Sequence, residues 1–240
     1  KVGASFPVFL HPESKHEYAL ARTERKIGPG YTGFAFDTAK TITLEQDLGR
    51  RDFTINAMAT ANFSAISEDI IDPFNGRADM HEGLLRHVSA DAFVEDPLRI
   101  LRAGRFLARY EHMKPVEGLR TLCCQMVKEG ALAELPGERI WKEISRGLME
   151  PYPRKMFEFL LDVGALDAIA PELARLKGVP QVAAHHPEVD TFEHIMLCLE
   201  VAVKKGVNLQ TRTAILLHDL GKGTTKPEIL PQHIAHEQRG

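Results

Sequence analysis

The segment from Arg50 to Arg109 constrains this chain most, because two charged motifs and a turn follow one another there. The three parts are Arg50-Arg51-Asp52-Phe53-Thr54-Ile55-Asn56-Ala57, the turn Asp72-Pro73-Phe74-Asn75-Gly76, and Glu95-Asp96-Pro97-Leu98-Arg99-Ile100-Leu101-Arg102-Ala103-Gly104-Arg105-Phe106. Asp followed by Pro is typical of a helix start, with Asp96 as the N-cap and Pro97 at the first helical position. A helix is therefore predicted from there to about His112, with arginines three residues apart.

Composition and charge exclude several classes of protein. The 240 residues suffice for one large domain or for two to three small ones. Hydrophobic residues make up 44% and charged residues 26%, which allows a packed core and argues against gross disorder. The net charge of −3 gives no global basic signature, so any binding to nucleic acid must use a local patch.

Cysteine usage, apolar runs and the chain ends bear on location and completeness. The three cysteines have no metal-like spacing, which predicts a reducing, cytoplasmic environment. No apolar run approaches membrane-spanning length and no signal peptide is recognisable, so no membrane partner is expected. The chain begins at Lys1 rather than Met and ends at Gly240 within a His-rich segment, so we expect a sequence incomplete at both ends. The oligomeric state is not indicated.

Strand patterns come before Gly76 and helical patterns after it, and together they predict an α+β protein. Before Gly76, short segments predict strands at 6–10, 17–21, 55–61 and 70–72. Thr43 with Gln46 matches a capping box for a helix that continues through Arg51, and Lys26–Gly33 is predicted to be a loop. After Gly76, further helices are predicted at 118–129, 138–149, 154–163, 191–204 and 210–220.

Asp96 and Arg99 offer the hydrogen-bonding groups that can read a nucleic-acid base. They stand three residues apart on the predicted helix and are therefore surface neighbours. The carboxylate accepts and the guanidinium donates, which matches the amino donor and ring-nitrogen acceptor of cytosine and adenine but not uracil or guanine. One good bidentate base contact gives about 1–3 kcal/mol of discrimination. The alternative is a helix cap with a surface ion pair, which is common.

Two further arginines and the first motif extend this candidate site. Arg102 and Arg105 continue the three-residue spacing, which drifts around a helix of about 3.6 residues per turn, so the four residues form a spiral. Some of these arginines can then meet phosphates while others only brace carboxylates. In the first motif, Arg51 suits a phosphate and Asp52 a ribose hydroxyl, and Asn56 is a further candidate nucleotide-binding residue. A solvated arginine pair at a helix end is the alternative.

Six of the eleven histidines follow residue 184, and several stand in an ordered pattern around an Asp. His218-Asp219 follows the apolar run at 214–217, and His194 lies in a predicted helix. Neutral imidazoles and a carboxylate suit Ni²⁺, Mn²⁺, Co²⁺ or Zn²⁺. The expected ligands are His194, His218 and Asp219, followed by His233 or His236. The weaker candidates are His185 and His186.

Taken together, the motifs resemble those of the class II tRNA nucleotidyltransferases, the CCA-adding enzymes, and the related bacterial poly(A) polymerases. The matching segments are 17–22, 44–57, 70–76, 84–88, 95–106, and 136–140 with Glu143. They cover most of the chain, and the Arg-Arg-Asp and Glu-Asp-x-x-Arg motifs are specific. The resemblance implies a nucleotide site in which Arg51 and Asp52 contact the sugar and phosphates. It also implies that Asp96 and Arg99 template the base, that Arg102 and Arg105 complete the pocket, and that the helix around 138–143 buttresses it.

The resemblance further implies an order of domains. Residues 1–76 would form a nucleotidyltransferase-type α/β head that is incomplete at its N-terminus, and residues 77–150 a helical neck with the nucleotide-reading helix. Residues 151–184 would form a helical body, and residues 185–240 the start of an α-helical HD phosphohydrolase domain. The family's Asp-x-Asp pair, which holds Mg²⁺ for attack on the α-phosphate, is expected before Lys1 and is absent from this chain. Glu17 is the only candidate for a further catalytic carboxylate, with a surface strand Glu as the alternative. A polypeptide of only these residues is expected to bind nucleotide poorly and to catalyse no transfer.

The function implied is the addition of C, C and A to tRNA from CTP and ATP without a nucleic-acid template. The HD domain would use a divalent transition metal such as Ni²⁺ to hydrolyse phosphate esters, including 2′,3′-cyclic phosphates. Bacterial CCA-adding enzymes of one type carry an HD domain, whereas the related poly(A) polymerases usually do not. Three alternatives stay open: a poly(A) polymerase that takes ATP only, a non-catalytic RNA-binding fragment, and an HD hydrolase with a degenerate head.

Overall fold

Short strand pairs characterise the first part of the chain, and helices characterise the rest. The computed structural model describes residues 8–21, 23–26, 34–37, 41–61 and 69–240. In chain order, its strands and helices are β1 (Phe9–Leu10), β2 (Glu17–Tyr18), β3 (Thr23–Lys26), β4 (Phe34–Asp37), α1 (Leu44–Gly49), β5 (Ala59–Thr60), β6 (Ile70–Ile71), α2 (Gly76–Glu82), β7 (Leu84–Leu85), α3 (Ala90–Glu95), α4 (Leu98–Arg109), β8 (Lys114–Pro115), α5 (Glu117–Lys128), α6 (Gly137–Met149), α7 (Pro153–Asp162), α8 (Ala165–Ile169), α9 (Pro171–Ala174), α10 (Thr191–Lys204) and α11 (Leu209–Leu217). The chain divides into two compact units, one of Lys1–Asp79 with Arg86–Asp96 and one of Met80–Leu85 with Pro97–Gly240.

The first unit contains three antiparallel strand pairs, β1 with β2, β3 with β4, and β5 with β6. The strands predicted at 55–61 and 70–72 occur as β5 and β6, but each is only two residues long, and Thr54–Asn56 form a 3-10 turn instead. The predicted capping box is also confirmed, because the Thr43 hydroxyl accepts from the Gln46 backbone N–H (3.2 Å) and the Gln46 side chain accepts from the Thr43 N–H (2.9 Å). That helix, α1, ends at Gly49 rather than at Arg51. The predicted loop at 26–33 lies outside the described residues, except that Lys26 ends β3.

The turn at 72–76 is joined to the first charged motif within this unit. The Asp72 carboxylate accepts from the backbone N–H groups of Gly76 (2.7 Å) and Arg77 (2.9 Å) and so closes the turn onto α2. A Cβ atom on Gly76 would lie 2.2 Å from the carbonyl oxygen of Thr54, so only glycine permits this approach. The Thr54 hydroxyl in turn donates to Asp79 (2.7 Å). Motif and turn therefore fold as one structure.

In the second unit, α4, α6 and α7 pack closely around Met156. A Cβ atom on Gly104 would lie 3.1 Å from the Met156 side chain, and one on Gly147 would lie 2.0 Å from its sulfur. These two glycines therefore allow the helices to approach, and Met156 is fully buried between them. Strands β7 and β8 form a short parallel pair beside α4.

The later helices occur where the sequence predicts them, within one residue at most ends. The exception is the last, α11, which ends at Leu217 and is followed by a 3-10 turn at Leu220–Thr224. The elements that the sequence pattern did not predict are α2, α3, α8, α9 and the strand pairs β3–β4 and β7–β8. None of the helices in the described ranges is both long and apolar enough to cross a membrane.

Candidate functional site

The first charged motif forms a local network of hydrogen bonds in the first unit. Asp52 is 6% exposed, and its carboxylate accepts from the backbone N–H of Phe53 (2.9 Å) and from the side-chain amide of Asn56 (3.0 Å). The Arg51 guanidinium donates to the carbonyl oxygen of Asn56 (2.9 Å), and 42% of its side chain is exposed. Asp52 and Asn56 thus hold each other in place, whereas Arg51 reaches the surface.

Arg50 and Glu17 behave as ordinary surface or supporting residues in this arrangement. Arg50 forms an ion pair with Asp47 at 2.6 Å and so stabilises the end of α1. Glu17 lies on β2 opposite Leu10 and is exposed. Within the described residues, Glu17 belongs to no group of three or more His, Cys, Asp or Glu side chains that could hold a metal ion.

The start of α4 differs from the prediction by one residue. Asp96 is the C-cap of α3, with an extended backbone (φ −125°, ψ 100°), and Pro97 rather than Asp96 is the N-cap of α4. The physical reason is the proline ring, which disfavours the helical conformation in the preceding residue. The helix also ends earlier than His112, at Arg109, and the Lys155 ammonium donates to three carbonyls that follow it, those of Tyr110, Glu111 and Met113 (2.8–2.9 Å).

The predicted base-reading pair is divided between the two units, because Asp96 ends the first unit and Arg99 lies in the first turn of α4 in the second. Both side chains are half-buried. Their joint contact with a base stays a prediction.

The other two arginines of α4 have different environments. Arg105 is buried, and its Nε donates to the buried Glu143 carboxylate on α6 at 2.6 Å. A second carboxylate, that of Glu150, lies 3.6 Å from the same guanidinium. Arg102 is 30% exposed and lies 3.9 Å from Glu143. Arg105 therefore braces α4 against α6, and Arg102 is the more accessible of the two.

The second candidate site is a cluster of imidazoles and one carboxylate in the second unit. His194, on α10, and His218, just after α11, bring ligand atoms together with Asp219 so that all three lie within 4.8 Å of one another. His218 Nε2 is 3.2 Å from Asp219 Oδ2, and His194 Nε2 is 3.9 Å from that oxygen. His236 Nε2 lies 3.3 Å from the other oxygen of Asp219. Two imidazoles and a carboxylate are a donor set that divalent transition metals accept.

Asp219 is the electrostatic centre of this cluster. It is buried, and its Oδ2 also accepts from the Lys222 ammonium at 2.8 Å. Burial alone would raise the pKa of Asp219, but the hydrogen bonds from His218 and Lys222 outweigh it and hold that pKa well below the ordinary value. The hydrogen bond to Asp219 raises the pKa of His218. Asp219 is therefore an anion that Lys222, itself bound to Gln181 at 2.6 Å, helps to fix in position.

The ring of His233 makes two hydrogen-bonding contacts outside the cluster. One ring nitrogen is 2.8 Å from the hydroxyl of Thr225 and the other is 2.9 Å from the carbonyl oxygen of Pro180. These contacts link two loops and compete with metal binding at both ring nitrogens of His233. His236, whose Nε2 lies beside Asp219, is therefore the better placed of the two ligand candidates. Burial, followed by the charges of Lys222 and His236, lowers the pKa of His233 despite the Pro180 contact.

Two residues at this site were missed or undervalued at the sequence level. Glu188 was not singled out, yet its Oε1 lies 2.6 Å from His194 Nδ1. His186 is one of the weaker candidates, yet its ring lies 4.7 Å from that of His194, and its Nδ1 is 3.4 Å from Glu188. The available signal was that His186 and Glu188 come shortly before α10, the helix that carries His194. This spacing places all three side chains beside the same helix end.

A cavity of about 790 Å³ adjoins the cluster between α10 and α11. Its polar rim includes His186, Glu188, His194 and His218. Its apolar wall comes from residues of the two helices, among them Leu197, Val201, Ala214 and Ile215. The cluster therefore stands at the edge of a space large enough for a small organic phosphate ester.

Two protein families match parts of the chain. The poly A polymerase head domain family matches residues 7–86, and a family described as the probable RNA and SrmB-binding site of polymerase A matches residues 117–177. The multifunctional CCA protein of Paracidovorax citrulli is 55% identical over 238 residues, which are 99% of this chain and 57% of that relative. The chain thus spans little more than half the length of that protein.

Two solved structures also resemble the chain. One is a tRNA nucleotidyltransferase complexed with a primer tRNA and an incoming ATP analog, with 25% identity and a TM-score of 0.52 over 88% of this chain and 63% of that one. The other is a complex of a CCA-adding enzyme with CTP, with 26% identity and a TM-score of 0.52 over 90% of this chain and 54% of that one.

Proposed function

Because this chain belongs to the family of the class II tRNA nucleotidyltransferases, as its motifs predict, we propose that it acts in adding CCA to the 3′ end of tRNA from CTP and ATP. The observation that carries the proposal is the 55% identity to a multifunctional CCA protein over almost the whole chain. The ligands named for the two solved relatives, a primer tRNA with an ATP analog and CTP, are the partners proposed here. The cytoplasm, where tRNA is processed in bacteria, is the proposed location.

The described residues suggest how the nucleotide would be held. The carboxylate of Asp52 is fixed by Asn56 and Phe53, which suits a preorganised acceptor for a ribose hydroxyl. Arg51 is the more exposed cation and would contact phosphate. Asp96 and Arg99 would read the base, Arg102 would add a donor at the rim, and the buried Arg105 would position the helix.

Mg²⁺ is expected from the resemblance, but the described residues do not fit it. A two-metal transfer site needs several carboxylates that converge. In the described ranges Glu17 stands apart from any such cluster. No step is therefore assigned to Mg²⁺ or to Glu17.

A second, hydrolytic activity is proposed for the His cluster. His194, His218 and Asp219 fit a divalent transition metal such as Ni²⁺, since three ligand atoms of suitable chemistry lie within 4.8 Å of one another. Such a metal, when bound, supplies an activated water for attack on a phosphoester. The protein residues contribute the geometry: Lys222 fixes Asp219, and the adjoining cavity would seat the ester. His236 is the next ligand candidate.

Base selection provides the test of the nucleotide site. In an intact enzyme, Arg99→Ala is expected to reduce the preference for CTP and ATP over UTP and GTP by about 5- to 160-fold, which corresponds to the loss of about 1–3 kcal/mol. Arg109→Ala, in the last turn of the same helix, is the matched control and should leave the preference unchanged. Unaltered discrimination in Arg99→Ala would show that the base is read elsewhere.

Separate assays distinguish the two activities. His218→Ala is expected to abolish phosphohydrolase activity and to spare nucleotide addition. Loss of both activities would instead indicate that His218 is needed for folding. A poly(A) polymerase is the second candidate, favoured by the head-domain family match at residues 7–86, and it would incorporate ATP alone.

A further inference from the structure

Glu188 has no role in the proposed function so far, although it contacts a proposed metal ligand. It lies in the turn before α10, and 16% of its side chain is exposed. The geometry points to Glu188 as a positioning residue that fixes the tautomer of His194, so that Nε2 of His194 presents its lone pair to a metal. This inference rests on the metal site proposed above.

The contact between Glu188 and His194 is short and directional. Glu188 Oε1 lies 2.6 Å from His194 Nδ1, while His194 Nε2 faces the Asp219 carboxylate at 3.9 Å. A carboxylate can only accept, so Nδ1 must carry the proton in this contact. In a neutral imidazole the proton on Nδ1 leaves the lone pair on Nε2, which is the atom on the side of Asp219.

The second imidazole of the cluster is held in the same way. His218 Nδ1 donates to the carbonyl oxygen of Ile215 at 2.7 Å, and His218 Nε2 faces Asp219 at 3.2 Å. Both ligand histidines are therefore anchored through Nδ1 and directed to Asp219 through Nε2, although the Nε2 proton that His218 donates to Asp219 would have to leave before a metal binds there. Anchoring of this kind orients metal ligands and raises their basicity.

The backbone around Glu188 is constrained, which limits where its carboxylate can lie. Val189 adopts a left-handed conformation (φ 60°), which is unfavourable for a β-branched residue. Hydrogen bonds on both sides hold it there, from the Val189 N–H to the carbonyl of His186 (2.9 Å) and from the Gln181 N–H to the carbonyl of Val189 (2.6 Å). The turn thus delivers Glu188 to His194 at the beginning of α10.

Glu188 could alternatively be a ligand itself, in a second metal site with His186 and His194, whose ligand atoms also lie within 4.8 Å of one another. Such a site would need Nδ1 of His194 as a ligand at the same time as Nε2 serves the first site. A neutral imidazole has only one lone pair, so one ring cannot serve both sites without losing its proton. The orienting role requires no such ionisation.

The test uses the metal-free protein labelled with ¹⁵N at histidine, followed by titration with Ni²⁺ alone. The wild-type His194 ring is expected to be the Nδ1–H tautomer, its signal being assigned by its loss in His194→Gln. Glu188→Ala is expected to shift that ring towards Nε2–H and to weaken Ni²⁺ binding by about 10- to 100-fold. Glu188→Gln keeps a side-chain oxygen that can accept and should retain most of both properties. Glu228→Ala removes an exposed glutamate of the same unit and should change neither.

The outcomes separate this inference from the proposed function. An unchanged tautomer and Ni²⁺ affinity in Glu188→Ala would overturn the orienting role. Two Ni²⁺ per wild-type chain and one in Glu188→Ala would also overturn it, since Glu188 would then be a ligand. A wild-type protein that binds no Ni²⁺ would refute the proposed metal site, while the tautomer measured without metal would still decide the role of Glu188.

Discussion

The buried ion pair between Arg105 and Glu143 should contribute to the stability of the helical unit, and its loss should be costly. The guanidinium and the carboxylate meet at 2.6 Å, with 7% and 4% of their side chains exposed. Arg105→Met would leave Glu143 as a buried anion whose nearest remaining cations are Arg102 at 3.9 Å and Arg146 at 4.0 Å. Breaking a buried pair in this way destabilises by about 3–5 kcal/mol. For a chain of this size, that lowers the unfolding midpoint by about 6–20 °C.

Urea and thermal unfolding, together with nucleotide binding, would measure this effect. The double variant Arg105→Met/Glu143→Leu removes both charges and should regain most of the lost stability, because the cost comes from the unpaired charge. Arg102→Met is the control, since its longer and more exposed contact should contribute about 0–1 kcal/mol. If Arg105→Met unfolds like the wild type but loses nucleotide binding, the bracing role is refuted and Arg105 contacts the ligand directly.

Three further predictions concern the second unit. Lys155→Met removes an ammonium bonded to three backbone carbonyls and should lower the free energy of unfolding by about 1.5–3 kcal/mol, measured with urea. Gly147→Ala should destabilise the protein by about 1–3 kcal/mol, because its Cβ atom would lie 2.0 Å from the buried sulfur of Met156. Gly137→Ala, on the same helix, would meet no atom within 4 Å and should be tolerated. Equal stability of the two variants would contradict this packing. Burial raises the pKa of Cys123 from 9.0 to about 12, so the stability that this thiol contributes is present below about pH 9 and is lost as the pH rises towards 12. Comparison of the wild type with Cys123→Ala across that range should show the difference, and parallel curves would refute it.

Local signals allowed the sequence to predict the longer helices and the capping box. The box at Thr43 and the start of α10 at Thr191 depend on neighbouring residues and on side-chain caps, which a sequence displays directly. The end of α4 could not be predicted in this way. The carbonyls that follow this helix bond to the Lys155 ammonium, which comes from α7, more than 40 residues further along the chain.

The candidate sites show the same division. His218 and Asp219 are adjacent in sequence, so their shared site was visible as a motif. Glu188 was not visible in this way, because its role depends on a left-handed turn at Val189. A valine in the sequence does not indicate that conformation. His233 fits the spacing of a ligand, but contacts with Thr225 and the distant Pro180 engage both of its ring nitrogens. A sequence does not reveal such competing partners.

Nucleotide incorporation by the intact enzyme that contains these residues, into a tRNA that lacks its 3′ CCA, tests the central claim most directly. Each nucleoside triphosphate would be supplied alone, and CTP and ATP would be supplied together, with the product sequenced at its 3′ end. The proposed function predicts that C, C and A are added from the pair and that UTP and GTP are excluded. Long tails from ATP alone, or no extension from CTP and ATP together, would contradict it.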